Sequence, residues 1–550
     1  MIALLDYGAG NVRSVRNAIA ALGYPLSEIR APEDILAAER LIFPGVGAFG
    51  PAMQRLREQG FEAPLREFLL AGRPFLGICI GLQSLFEGSE ESPGVPGLGI
   101  IPGQVRRFDN SHRSVPHMGW NGLRLQQAEC ELLEDADAHR FYFVHSYFAE
   151  PEARNRDWVL AETDYGRPFI SAVQQGEVAA VQFHPEKSGA AGLEVLRRFL
   201  AGQCTLNPRP LSQPRSHSAQ PLSDSPVLPD PLAEPTSTAL ARRIIACLDV
   251  RTNDQGDLVV TKGDQYDVRE QGEVRNLGKP VELAKRYYAE GADEITFLNI
   301  TAFRDFPLAD QPMLKVLRRA SEEIFVPLTI GGGIRAFVDQ DGRHYSALDV
   351  AAEYFRSGAD KVSIGSEAVL IAEAFHACGG QGDGSSAIEQ IAQVYGNQAV
   401  VISVDPRRVY VDSPAATPHH CIETQEPGPQ GERYCWFQCT IKGGREGRDL
   451  DVLQLVQACE QLGAGEILVN SIDRDGSGRG FDLELLRMVR EGVRIPVIAS
   501  SGAGCPEHFS ALFDAVDAEA ALAAGIFHRR EVPIDAVKAE LDGKGEIVRA

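Results

Sequence analysis

The sequence lacks any apolar run approaching the ~20 residues that a membrane helix needs. Met1-Ile2-Ala3-Leu4-Leu5-Asp6 reads directly as a strand, with no basic region or apolar leader segment before it. Cysteine is sparse, with 10 among 550 residues and no CxxC pair. That excludes a disulfide scaffold and leaves reduced thiols in a cytoplasmic enzyme, one of them a candidate nucleophile. Basic residues are in deficit: 54 Lys and Arg stand against 76 Asp and Glu, a net charge of −22. A chain this acidic has no global field to gather nucleic acid or an anionic membrane, so any phosphate must be held by a local site. What is present is ordinary for globular domains, 44% hydrophobic and 24% charged residues, and the length favours two to four domains.

Pro208 to Pro235 holds eight prolines among Ser, Gln, Asp and Arg. It has no helix or strand period and reads as an extended, semi-rigid tether. The expected division is therefore residues 1–204, a linker at 205–238, and 239–550. In the first part, Ile2–Asp6, Arg40–Phe43, Phe75–Ile78, Phe141–His145 and Ala179–Phe183 read as strands, and Asn11–Leu22 and Leu82–Phe86 as helices. An α/β sandwich with a mixed sheet follows.

The last part predicts eight strands: Ile244–Leu248, Ile295–Leu298, Pro327–Ile330, Val362–Ile364, Ala399–Val404, Ile467–Val469, Pro496–Ala499 and Ala520–Ala523. Most precede helical stretches such as Pro280–Ala289 or Leu450–Leu462. Eight β/α units favour a closed (β/α)8 barrel over a doubly wound open sheet. The halves also repeat. Ala246-Cys247-Leu248-Asp249-Val250-Arg251 is echoed by Ile402-Ser403-Val404-Asp405-Pro406-Arg407, and Ile330-Gly331-Gly332-Gly333 by Ala499-Ser500-Ser501-Gly502. Stretches 336–347, 378–388 and 412–435 interrupt the period and are expected to be loops.

Gly77-Ile78-Cys79-Ile80-Gly81-Leu82-Gln83 follows a strand and opens a helix, the geometry of a nucleophile elbow. A helix N-terminus beneath the sulfur favours thiolate. Gln182-Phe183-His184-Pro185-Glu186-Lys187 ends the last strand of this part, so that His184 is placed to deprotonate Cys79 and Glu186 to orient the imidazole. Gly45, Val46 and Gly47 put backbone N–H groups at a third strand end, a candidate oxyanion hole. Together these motifs resemble class I, triad-type glutamine amidotransferases over about residues 1–200. The resemblance implies a glutaminase with Cys79 as nucleophile, His184 as base, Glu186 as its partner, and Gln83 helping to bind glutamine.

A barrel active site lies at the C-terminal ends of its strands. Asp249 and Asp405 end the first and fifth strands, a facing pair suited to acid–base work if their environments differ. Capping or loop hydrogen bonding would be the default for either alone. Glycine-rich ends supply two candidate phosphate sites: Gly332 and Gly333 with Gly365 and Ser366, and Ser501 and Gly502 with Ala524 and Gly525. Two such sites imply a substrate with a phosphate at each end. Cys247 is expected to point away from the barrel mouth and to pack. His419-His420-Cys421 reads as a loop, and neither metal nor cofactor is expected.

Residues 240–550 resemble the cyclase component of imidazole glycerol phosphate synthases of histidine biosynthesis. Arg242 to Asp249, Gly358 to Ile364, and Ser471-Ile472-Asp473-Arg474-Asp475-Gly476 carry the likeness. With a glutaminase on the same chain, it is similar to the fused form of fungi and plants. The fold class implied is an N-terminal α/β class I glutamine amidotransferase domain, a Pro-rich linker and a C-terminal (β/α)8 TIM barrel with internal half-barrel duplication. The resemblance implies that ammonia from glutamine closes an imidazole ring on a bisphosphate ribonucleotide, with Asp249 and Asp405 moving the protons and Lys262, Asp475 and Gly476 among the substrate contacts. Asn299 and Ser501 stand where Asp and Gly are often seen. Arg243, Glu294, Lys361 and Glu466 match a ring of charges that gates ammonia at the barrel bottom; ordinary stabilising ion pairs are the other reading. His117 to Trp120 and Tyr142 to Tyr147 match segments lining the route, and Lys187 is expected to reach Asp360. Partners are then small molecules only, with both activities on one monomer. A pyridoxal phosphate synthase-like assembly and a non-catalytic scaffold remain alternatives, separated by a glutaminase assay with and without the bisphosphate.

Overall fold

The computed structural model describes every residue except 1, 9, 46, 128–129, 205–237, 253–257, 262–268, 271–272, 275–276, 301–307, 309–311, 340 and 550. Val46, Lys262 and nearly all of the expected linker lie outside the described residues.

The N-terminal sheet runs in the order Leu26–Glu28, Ile2–Leu4, Arg40–Phe43, Phe75–Ile78, Val178–Val181, Pro168–Gln175, Val159–Asp164, Arg124–Leu125. The first five strands are parallel and the rest antiparallel, so the sheet is mixed as expected. Both faces are buried because strand side chains alternate. Leu4, Ile42, Leu76 and Ile78 pack with helices Val12–Ala21 and Gly189–Leu200. Ala3, Leu41, Phe43 and Phe75 pack with Phe49–Glu58 and Glu62–Leu70 on the other face. The helix Val12–Ala21 forms because Val12, Val15, Ala18 and Ile19 recur at helical spacing. Asn11 caps it, accepting the Ser14 N–H at 3.1 Å.

In the second part, strands Arg243–Thr252, Glu294–Asn299, Leu328–Gly331, Lys361–Ile364, Val400–Val404, Glu466–Asn470, Val497–Ser500 and Ala520–Ala523 pair in parallel, and the last returns to the first through Arg243↔Ala520 to Ala246↔Ala523. The sheet is a closed eight-stranded barrel. Along the first strand, Ile244, Ala246, Leu248 and Val250 face the surrounding helices, whereas Ile245 and Cys247 join Val401, Leu468, Ile498 and Leu522 in the lumen. Cys247 therefore packs, but its direction is corrected. Two residues before Asp249 on a strand is the same face, so it lies inside the barrel beneath that carboxylate.

Two of the three expected loops carry strands. Residues 336–347 hold a short hairpin, Phe337–Val338 with His344–Tyr345. The stretch 412–435 belongs to a four-stranded antiparallel sheet, Arg407–Val411, Cys421–Glu423, Tyr434–Ile441 and Glu446–Asp451. Five of the eight residues of Tyr434–Ile441 are aromatic or β-branched, and its sheet is pinned by buried Arg408, whose guanidinium meets Asp482 at 2.6 Å and Glu484 at 2.9 Å. His419 stacks on Trp436 at 3.9 Å between ring centroids and reaches Asp449 at 2.8 Å. No helix among the described residues is long and apolar enough to cross a membrane.

Candidate active sites

Cys79 stands between strand Phe75–Ile78 and the one-turn helix Ile80–Gln83, not the longer Leu82–Phe86 helix that the sequence suggested. Its backbone lies at φ +53°, a left-handed conformation held at a non-glycine residue, which costs about 1–3 kcal/mol and is the kind of strain that clusters at active sites. Close approach explains the neighbouring glycine: a Cβ on Gly81 would sit 2.3 Å from the Phe43 carbonyl oxygen. The elbow is thus pressed against the end of strand Arg40–Phe43, where Gly45 and Gly47 follow.

His184 and Glu186 are 97% buried, with Nδ1 2.8 Å from the Glu186 Oε1. Burial alone would depress the ring, yet Glu186 and the Cys79 sulfur beside it hold the His184 pKa well above its usual value. Gln182 donates its Nε2 to the sulfur at 3.4 Å. Gln83 spends its amide N–H groups on the Tyr147 carbonyl at 3.0 Å and the Gln182 Oε1 at 3.2 Å. Cys79, His184, Glu186, Gln83 and Gly45 therefore meet at one place, while a Cβ on Gly47, two residues on, would sit 3.2 Å from the Val394 carbonyl oxygen. Sequence reasoning missed Glu91, which accepts the Phe49 N–H at 2.8 Å just beyond the glycine loop and is pushed up to about 7 by burial. One of three glutamates (Glu87, Glu90 and Glu91) in a Gly- and Ser-rich segment carries no local signal to single it out.

At the far end of the barrel, a cavity of about 360 Å3 is lined by Asp249, Asp475, Gly476, Ser501, Gly502, Ala524 and Gly525. Ser501 and Gly502 adopt φ +76° and +99°, matching +89° and +78° at Gly332 and Gly333. Both loops therefore hold two successive residues at positive φ, with Ser501 accepting strain that Gly332 avoids. Gly332, Gly333, Gly365 and Ser366 lie at this same end of the barrel but outside that cavity; Ser366 opens helix Ser366–Ala377 and its Oγ accepts the Lys442 N–H at 3.0 Å. Asp405 is pushed up to about 6 by burial, opposed by a hydrogen bond from Asn470 at 3.0 Å and aided by Asp475. Asn470 was not foreseen, although strand pairing of Val404 with Val469 makes it the neighbour of Asp405.

Between the sites lies a closed ring of charge. Each residue in it opens a barrel strand, and each is at most 1% exposed. Arg243 meets Glu294 at 3.0 Å and also Glu466, and Lys361 meets Glu294 at 2.7 Å and Glu466 at 2.6 Å. Burial would raise Glu466, but the two cations hold it below the usual carboxylate value. The glutaminase-like part sits directly on the ring: Lys361 Nζ lies 3.6 Å from Met118 Sδ, and the Trp120 indole donates to the Asp293 carbonyl at 3.2 Å. At the periphery, buried Lys187 pairs with Asp360 at 2.7 Å, and Asn11 donates to Asp360 at 2.8 Å.

Comparison with known proteins follows this division. Residues 3–202 match the glutamine amidotransferase class-I family, and residues 243–533 match the histidine biosynthesis protein family. An imidazole glycerol phosphate synthase hisHF, chloroplastic, from Arabidopsis thaliana is 57% identical over 98% of this chain and 88% of its own. Proteins named imidazole glycerol phosphate synthase hisHF from Emericella nidulans and Schizosaccharomyces pombe are 55% and 52% identical, over 99% and 100% of this chain and 98% and 100% of theirs.

Proposed function

The chain belongs to the imidazole glycerol phosphate synthase family in its fused form, and from that premise we propose how its residues divide the work. It is a bifunctional enzyme of histidine biosynthesis, with glutamine amidotransferase and cyclase parts on one chain and small molecules as substrates.

In our reading, His184 takes the Cys79 proton, and the thiolate attacks the glutamine side-chain carboxamide. Backbone N–H groups of the Gly45–Gly47 loop stabilise the tetrahedral oxyanion. His184 returns the proton to the departing nitrogen, ammonia leaves, and water hydrolyses the thioester to glutamate. Glu186 keeps the imidazole oriented and stabilises its charged form. The ammonia crosses the ring of Arg243, Glu294, Lys361 and Glu466 into the barrel. There it attacks the phosphoribulosyl-formimino aminoimidazole carboxamide ribonucleotide, releasing aminoimidazole carboxamide ribotide as imidazole glycerol phosphate closes. Asp405, poised near pH 6, and Asp249 carry the proton transfers. The loops at Gly332–Gly333 with Gly365–Ser366, and at Ser501–Gly502 with Ala524–Gly525, hold the two phosphates, assisted by Lys262. A single chain holds every group, so we take the monomer as the working unit. All ten cysteines are free, in keeping with the reducing cytoplasm that we assign.

The observation that carries this reading is the buried ring of alternating charge lying between a Cys–His–Glu cluster and the barrel lumen. Incubation with glutamine and the bisphosphate tests it. Aminoimidazole carboxamide ribotide should appear with glutamate, and Cys79→Ala should stop this while ammonium-driven cyclisation continues. Glutamine-dependent product from Cys79→Ala would sink the assignment.

A further inference from the structure

Strands His117–Gly122 and Arg140–His145 form a two-stranded ladder between the elbow and the barrel, with His117 directly opposite His145. Side chains alternate along it. Met118, Trp120 and Tyr142 join the barrel's apolar cluster, while His117, Asn121 and His145 turn inward, at most 2% exposed. The two imidazoles touch, with His117 Nδ1 3.1 Å from His145 Nε2.

Their protons can be assigned by elimination. The Asn121 Oδ1 accepts the Gly122 N–H at 2.8 Å, so its amide nitrogen faces His117 Nε2 at 3.2 Å as a donor. His117 Nε2 then accepts, and its Nδ1–H donates to His145 Nε2. That leaves the proton of His145 on Nδ1, aimed at the Tyr147 carbonyl at 2.7 Å. Neither ring carries a second proton in this arrangement. Burial agrees, pushing His117 well down and His145 to about 3.

The Tyr147 carbonyl is the node. It accepts His145 from one side and the Gln83 amide from the other at 3.0 Å. Gln83 in turn fixes the Gln182 carbonyl oxygen, which leaves the Gln182 nitrogen to face the Cys79 sulfur. The outer end is equally anchored. His117 is stacked on Tyr165 at 4.2 Å between ring centroids, and the Tyr165 hydroxyl donates to the Ser114 carbonyl at 2.7 Å. Ser114 bonds Glu519, and the Val115 N–H donates to the Arg494 carbonyl of the barrel at 2.9 Å.

We propose that His117 and His145 are positioning residues for glutamine hydrolysis: a one-directional hydrogen-bond relay that sets the Tyr147 carbonyl, and through Gln83 and Gln182 the donor facing the nucleophilic sulfur, from a strand braced against the barrel. The proposal rests on the reading of Cys79 as that nucleophile. Neutral imidazoles suit the task, since a fixed tautomer transmits orientation without placing charge near the thiolate.

The test compares His145→Phe with His145→Asn in the full chain. Phenylalanine keeps the aromatic packing and loses both ring nitrogens. Asparagine loses the packing but keeps an N–H near the Nδ1 position for the Tyr147 carbonyl. Either leaves the His117 Nδ1–H without its acceptor, so their difference isolates the bond to Tyr147. The relay predicts that His145→Phe lowers glutamine-dependent kcat about tenfold, roughly what one lost hydrogen bond removes, with KM nearly unchanged, while His145→Asn recovers most of it. Alkylation of Cys79 by iodoacetamide should slow in the same order. Ammonium-driven cyclisation should match the wild type in both, and its loss from His145→Phe, which keeps the packing, would mark a general structural role for this histidine and overturn the relay. Full glutaminase activity in His145→Phe, or a His145→Asn enzyme no better than it, would overturn it too. Cys79→Ala, assayed alongside, separates these failures from failure of the glutaminase assignment, which glutamine turnover by that variant would signal.

Discussion

Replacing Lys361 by alanine removes one cation from a ring in which two cations balance two carboxylates, all of them buried. The ammonium makes contacts of 2.7 and 2.6 Å. At an effective dielectric constant of about 20, each is worth roughly 6 kcal/mol in Coulomb energy. Most of that offsets the cost of burying the ammonium, and breaking such a network by deleting one partner costs a net of about 3–5 kcal/mol. Arg243 alone then faces Glu294 and Glu466, and one carboxylate takes up a proton. A glutamate whose folded pKa is raised binds protons better folded than unfolded, so stability falls as pH rises from about 4.3 through that raised value. The variant should lose more stability at pH 8 than at pH 5, read from urea midpoints. Function should fail selectively. With the ring opened beside Met118, glutamate should accumulate in excess of imidazole glycerol phosphate, while ammonium-driven cyclisation holds near wild type. If the ratio stays at one, or both reactions fall together, these charges are structural ballast and the gate is refuted.

Glu186→Gln should lower glutamine-dependent kcat by about 10²–10⁴, by analogy with carboxylate loss in other triads, and spare the ammonium-driven reaction; equal loss of both would contradict the triad. The ammonium-driven cyclase, corrected for free ammonia, should show a pH limb near 6 from Asp405. Asn470→Ala removes a donor that favours the ionised carboxylate, so this limb should move to higher pH; an unmoved limb would detach it from Asp405. Gly81→Ala, forced against the Phe43 carbonyl at 2.3 Å, should cost about 1–3 kcal/mol as overpacking does, measured by thermal denaturation together with glutaminase rate.

The elbow and the eight barrel strands were legible because local chemistry announces them: glycines flank Cys79, and apolar runs recur before amphipathic stretches. The small sheet over 407–451 was not, although Tyr434–Ile441 is strand-like, because interruption of the barrel period suggested a loop. Cys247 failed as a matter of parity, since i and i+2 share a face. Asn470 becomes visible only once registers are known. His117 and His145 lie 28 residues apart, so nothing short of the antiparallel pairing brings their rings together. Ser501 shows the converse, a residue that local rules disfavour at φ +76° and that the surrounding barrel holds in place.

Glu186 and Lys187 are successive residues in the single turn Pro185–Lys187. The first aligns the imidazole and the second plugs into Asp360 across the domain boundary. Adhesion and chemistry thus share a peptide plane, and neither side chain has room to drift alone. Loosening the Lys187–Asp360 contact is therefore expected to disturb the Glu186–His184 pair as well. An unattended glutaminase, undocked and wasting nitrogen, is then discouraged by the architecture itself.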